Sequence, residues 1–389
     1  MSSSVRIGPY RLVDVRAIHD EMVMQLAGGA CVCGNGDVLA YWNRYTDAIM
    51  GNEAHFMRSS DHGRTWEMTA KPIGSRHEEG AIHVATGMVC LADGRLLLPY
   101  ADYQSGRTGD DEHPRRLKNR NRPTELFVAV SRDHGHSWPQ RVKVDLGPFR
   151  FAYPFGRIVE RRDGSLMLPA VACEKDWLET RGEATPFENG YFLSRDGGES
   201  WGDWHPIVPA PNELGCVETT IARCSDGSLL GLHRTTTAWV KSQRPFDAGV
   251  LAATRSADDG ETWLDPEPTE LHGECGCLVA DGDRLIAAYR SAKNAPPATP
   301  LGMIVVYSDD GGRTWTPETA LPDPRGRTHE SWHETGMPDI VKMPSGQIGI
   351  VYYSHDPNLP WCPPKNDPLW QQVPHFWKRY LAIAILQAD

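Results

Sequence analysis

Ser59-Ser60-Asp61-His62-Gly63-Arg64-Thr65-Trp66 is one of five copies of the phrase Ser-x-Asp-x-Gly-x-(Thr/Ser)-Trp. The others run Ser131 to Trp138, Ser194 to Trp201, Ser256 to Trp263 and Ser308 to Trp315, with central aspartates 72, 63, 62 and 52 residues apart. A short phrase recurring at such an interval marks a repeat architecture with one supersecondary unit per copy. Its chemistry is that of a turn: the Asp and Ser/Thr side chains bond nearby backbone N–H groups and the Gly supplies positive φ. The Trp is then free to pack between neighbouring units.

A second recurrence is interleaved with the first. Short apolar runs meet at Asn35-Gly36, Asp93-Gly94, Asp163-Gly164, Asp226-Gly227, Asp281-Gly282 and Ser345-Gly346. A two-residue turn of this kind between apolar runs is a strong short-range hairpin signal. Six such hairpins, each but the last followed by an Asp-box hairpin, predict an all-β chain: a six-bladed β-propeller of four-stranded antiparallel blades. The last blade has its inner hairpin and one late strand, Arg379 to Leu386, so Val5 to Val15 is expected to complete it and close the ring. Two separate β-sandwiches would not give a regular interval along the whole chain.

Composition fits one domain over residues 1–389. No Gly/Ser or Pro linker divides the repeats, and 40% hydrophobic residues with 13 Trp supply a large core. A net charge of −11 argues against nucleic acid as the main partner. No apolar run approaches the length of a membrane span. The start, Met1-Ser2-Ser3-Ser4-Val5-Arg6, lacks the apolar stretch of a secretory signal, which gives the expectation of a cytoplasmic protein. The nine cysteines include Cys31-x-Cys33 and Cys275-x-Cys277. Two residues apart on a strand, both thiols of a pair face one side, and buried free thiols are expected. His329 and His333 have i, i+4 spacing but adjoin a strand rather than a long helix, and no metal or other cofactor is expected.

Strand order locates the functional end. Both sets of tight turns lie on one end of the ring, so the longer connections, near 102–123, 173–189, 235–247, 291–300 and 354–376, lie on the other. Long irregular loops on one rim of a rigid scaffold are where binding and chemistry concentrate. The open ends of the inner strands, about eight residues from each Asp-Gly turn, bring Arg44, His83, Asp102, Glu218, Arg234, Arg290, Glu334, Tyr353 and His355 around one mouth. Guanidinium groups bind carboxylates bidentately, and carboxylic acids on such a rim serve as general acid and base. Arg115 to Arg122 carries five positive charges in eight residues on the same rim, a solvated loop or an attractor of acidic glycan.

These Asp boxes, also called BNR repeats, resemble those of the sialidase superfamily over nearly the whole chain. The resemblance implies a glycosidase with a tyrosine nucleophile, a glutamate that activates it, an aspartate acid/base and three arginines on the substrate carboxylate. Glu218, Asp226 and Arg234 reproduce the family spacing around a middle-blade turn, so Glu218 resembles the tyrosine's partner and Arg234 the second arginine. Arg290 resembles the third. Asp47, twelve residues before Ser59, resembles the acid/base. Two positions depart from the family. No arginine stands in Gln25-Leu26-Ala27-Gly28-Gly29, where the first is expected, and the tyrosine position is Met337.

Three functions follow. One is a sialidase-like hydrolase of an acidic oligosaccharide, with Asp47 and Glu218 catalytic and Arg44, His83, Arg234, Arg290, Glu334, Tyr353 and His355 binding substrate. The second is a polysaccharide lyase acting on uronate-containing glycans, with His83, Tyr353 or His355 as base. The third is a glycan-binding propeller without turnover.

Overall fold

The computed structural model describes residues 5–19, 26–43, 52–69, 71–77, 80–84, 87–103, 124–175, 187–235, 249–292, 296–325, 335–360 and 377–389. These residues form antiparallel meanders arranged as a β-propeller. The first sheet orders Leu26–Val32, Val38–Asn43, Ala54–Ser59 and Glu67–Met68. The second lays Ala81–His83 and Val89–Cys90 along Leu96–Tyr103, followed by Thr124–Ser131 and Gln140–Lys143. The third repeats this with Phe151–Pro154 and Val159–Glu160 on Leu166–Cys173, then Glu188–Ser194 and Gly202–Val208.

Beyond them the pattern changes. Where separate four-stranded sheets were expected, Cys216–Arg223, Leu229–Thr235, Val250–Ser256, Glu267–Asp281, Arg284–Ser291, Met303–Ser308 and Thr319–Ala320 are hydrogen-bonded into one seven-stranded sheet. The described residues therefore make five hydrogen-bonded sheets rather than six separate ones. The cause is the 15-residue strand Glu267–Asp281. Its start pairs with Val250–Ser256 and its end with Arg284–Ser291, so it serves two meanders in succession. In the last sheet Tyr10–His19 pairs with Trp377–Ala388, joining the start of the chain to its end.

The Asp boxes form the turns their sequence dictates. In the first, Ser59 Oγ donates to Asp61 and accepts from Gly63 N, while Thr65 donates to Asp61 from both N and Oγ1, all at 2.7–2.8 Å. The set recurs around Asp133, Asp196, Asp258 and Asp310. Carboxylates that accept several such bonds are held low: burial alone would raise Asp61, but the donors from Thr65 and Ser59 bring it to about 2. Trp66, Trp201 and Trp263 each donate Nε1 to a box carbonyl and pack against the buried clusters between sheets.

The Asp-Gly type turns differ in detail from expectation. In five of them the glycine N–H reaches the carbonyl three residues back, as Gly36 to Cys33 at 2.9 Å. Each such glycine has φ between +81° and +89°. These are three-residue loops with a left-handed glycine, not two-residue turns. The pairing Asp281↔Arg284 alone encloses two residues, Gly282 and Asp283.

The eight cysteines among the described residues are free thiols, and all but Cys90 are buried. No helix among the described residues is long and apolar enough to cross a membrane.

Candidate functional site

Four strands of the Asp-Gly hairpins share an irregularity short of their far ends. The ladder shifts register between Ala27 and Gly29, Val217 and Thr219, Glu274 and Cys277, and Gly336 and Asp339. Within the last three shifts stand non-glycine residues at positive φ: Glu218 (+55°), Cys275 (+53°) and Met337 (+45°). Such backbone costs on the order of 1–3 kcal/mol per residue and re-aims the side chain, and it collects at functional sites.

Around two of these bulges the ionisable side chains form a chain of contacts. Arg234 Nη1 donates to both oxygens of Glu218 at 3.1 Å, and its Nη2 donates to Glu274 Oε2 at 3.2 Å. Arg290 Nη2 donates to the same Glu274 oxygen at 2.7 Å. Arg290 Nη1 lies 3.4 Å from the Tyr353 hydroxyl. The Cys275 thiol sits between, 3.4 Å from Glu218 and 3.5 Å from Arg234. Burial drives the Glu274 carboxyl upward, but Arg234 and Arg290 outweigh it and hold Glu274 below the usual glutamate range. Burial pushes the Cys275 thiol up to about 12, so it is not a nucleophile at neutral pH.

The structure thus brings Glu218, Arg234, Arg290 and Tyr353 together. His83 stands farther along, its ring edge-on to Tyr153 at 6.4 Å, and Tyr153 lies within electrostatic reach of Glu218 and Arg234. Asp102 serves a different purpose. Fully buried, it accepts from Ser75 Oγ at 2.5 Å and Arg76 N at 2.9 Å and anchors that segment. The backbone of His355 pairs with Arg379 in the last sheet. Arg44, Asp47 and Glu334 lie outside the described residues.

A second ionic contact ties three parts of the ring together. Arg157 Nε donates to Asp339 at 2.9 Å and its Nη2 donates to Ala30 O at 3.0 Å. Asp339 also accepts from Ala30 N at 3.0 Å and from the Cys277 thiol at 3.4 Å. The Asp339 side chain has no exposed surface, and that of Arg157 is 24% exposed.

A BNR repeat-like domain model matches residues 112–276, and a BNR/Asp-box repeat model matches residues 306–317. Residues 112–276 and 306–317 thus carry BNR-type repeats within a β-propeller. No curated protein matches the sequence. Among solved structures, a protein of unknown function from Dyadobacter fermentans is similar over 98% of this chain and 100% of its own, at 19% identity and TM-score 0.72. The Hadza microbial sialidase Hz136 is similar over 87% of this chain and 66% of its own, at 19% identity and TM-score 0.64. An α-L-arabinanase from Penicillium chrysogenum, complexed with arabinobiose, is similar over 96% of this chain and 98% of its own, at 12% identity and TM-score 0.62. At these identities the likeness is one of fold.

In this propeller the position that resembles the sialidase tyrosine is Met337, nine-tenths buried in its bulge. A thioether has no acidic proton and cannot act as a phenolate does. Sequence reasoning passed over Glu274, Cys275, Tyr153, Arg157 and Asp339. For Glu274 a signal existed: a hairpin centred on Gly282-Asp283 sets Arg290 opposite residue 275, and the bulge moves the partner to Glu274. Arg157 and Asp339 are 182 residues apart, and no local spacing connects them.

Proposed function

We propose that this propeller hydrolyses a glycosidic bond at the mouth where Glu218, Glu274, Arg234 and Arg290 meet. The ring is read as six four-stranded units, with Glu267–Asp281 serving as the outer strand of the fourth and the inner strand of the fifth. The observation that carries the reading is Glu218, set on a strained bulge with both carboxylate oxygens held by Arg234. Two carboxyl groups are the minimal equipment for glycoside hydrolysis, one as acid and one as base or nucleophile.

Glu218 accepts from Arg234 with both oxygens, which leaves it oriented to take a proton from water. Glu274, held low by two guanidiniums, stays ionised at neutral pH and does not serve as the acid. Asp47 is the proposed acid. With no tyrosine at position 337, the reaction is assigned to direct attack of a water activated by Glu218, with inversion at the anomeric carbon.

Arginine recognition of an acidic sugar, the expectation from sequence, required guanidiniums open to a substrate carboxylate. Arg234 and Arg290 are engaged by resident carboxylates. The hydrolase reading therefore does not depend on an acidic substrate.

The test is a panel of neutral and acidic oligosaccharides with product mass and ultraviolet absorbance recorded together. Hydrolysis adds the mass of water without absorbance, and Glu218→Gln abolishes it in a protein that still folds. The lyase reading draws on Tyr353 beside Arg290 and gives an absorbing, unsaturated product instead. Binding without any product would leave the propeller a glycan-binding module.

A further inference from the structure

We infer that the sugar held at this mouth is uncharged, because Glu274 occupies the place between Arg234 and Arg290 that a substrate carboxylate would take. The inference rests on the hydrolase reading for its location and goes beyond it in naming the substrate class.

The geometry is specific. A single oxygen, Glu274 Oε2, accepts from Arg234 Nη2 at 3.2 Å and from Arg290 Nη2 at 2.7 Å. A carboxylate placed between two guanidiniums is how a protein grips an acid, and here the protein supplies that acid itself. The other terminal nitrogens are also engaged: Arg234 Nη1 meets both oxygens of Glu218, and Arg290 Nη1 faces the Tyr353 hydroxyl. Glu274 opposes Arg290 directly in the strand ladder, so the backbone register fixes it there.

Among the described residues of this cluster the formal charges cancel: two guanidiniums against two carboxylates. A ligand carboxylate would add a third negative charge beside Glu218 and Glu274, and like charges brought together across an interface oppose binding. Sugar hydroxyls suit the arrangement. They donate to the unused lone pairs of the two carboxylates, and they accept from or donate to the Tyr353 hydroxyl. The same carboxylates that repel an acid thus become hydroxyl acceptors.

The experiment is titration of the full chain, followed by tryptophan fluorescence, with neutral gluco-, galacto- and arabino-oligosaccharides against oligogalacturonides and sialyllactose. The expected result is that at least one neutral series binds about tenfold or more tighter than either acidic ligand. In Glu274→Gln, which removes the resident negative charge between the two guanidiniums, the acidic ligands gain about tenfold or more relative to the neutral ones. Wild-type protein that binds the acidic ligands as tightly as the neutral ones overturns the inference and leaves the hydrolase reading standing. An unchanged ratio in folded Glu274→Gln also overturns it. If that variant does not fold, the wild-type ratio decides. Neutral binding without turnover upholds the inference and removes the hydrolase reading, and binding of neither class removes both.

Discussion

Replacing Asp339 by Asn should lower the melting temperature by several degrees without touching the proposed catalytic groups. Asp339 has no exposed side-chain surface and binds three separate parts of the ring: Arg157 at 2.9 Å, the Ala30 amide at 3.0 Å and the Cys277 thiol at 3.4 Å. The amide keeps the shape, removes the charge, and turns one acceptor edge into a donor facing donors. Arg157 is then left partly buried with its counter-charge gone. Removing one partner of a buried pair costs about 3–5 kcal/mol, and the 24% exposure of Arg157 places the effect toward the lower end. At roughly 2.1 cal/mol/K of unfolding entropy per residue, 389 residues give on the order of 0.8 kcal/mol/K, so the midpoint falls by about 4–6 °C. Differential scanning calorimetry reads this directly. Replacing both partners, Arg157→Met with Asp339→Leu, should cost less than the sum of the single changes. A melting point for Asp339→Asn within about 1 °C of wild type would refute the assignment of this pair as a tie across the ring.

The remaining predictions concern backbone, pH and activity. Gly156→Ala should destabilise by more than about 2 kcal/mol, because its φ is +84° and a Cβ would meet Thr219 O at 2.3 Å. Gly94→Ala, at φ +85° with open space around it, should cost only the conformational term of about 1–2 kcal/mol, and urea midpoints compare the two. Asp61, Asp196 and Asp258 are each held at about 2, below their unfolded value. Their contribution is therefore present above about pH 4 and is lost as pH falls toward 2, so urea midpoints should drop across that window and stay unaffected by these groups from pH 5 to 7. Glu218→Gln should lower kcat on any substrate found by about 10²-fold or more with the melting curve preserved. Sialyllactose should release no sialic acid, since Glu274 stands between Arg234 and Arg290 where the substrate carboxylate would bind, and measurable release would contradict the uncharged substrate.

What could be read from the chain alone was whatever neighbouring residues decide among themselves. Each Asp box closes through bonds spanning at most four residues, from Ser59 to Gly63 or from Asp61 to Thr65, so five copies announce five turns wherever they stand. The left-handed glycines of the hairpins are local in the same way, although the loop proved one residue longer in five turns, because the bond from Gly36 to Cys33 tightens it. Spacing around those turns was also enough to bring Glu218 and Arg234 to one end of neighbouring strands, where the ladder sets Arg234 against Val217, the residue before Glu218.

Tertiary structure decided the rest, since the quantities at stake are distances between units. The bulges that aim Glu218, Cys275 and Met337 arise from pairing two against one across a ladder, which no single strand reveals. Glu267–Asp281 became a strand common to two meanders because both partners reached it from opposite halves of its length. The turn spacing in the sequence set Glu218 near Arg234. Only the folded ring decided that Glu274 would stand between Arg234 and Arg290, because charge pairing in a partly buried site is settled by a few ångströms of approach.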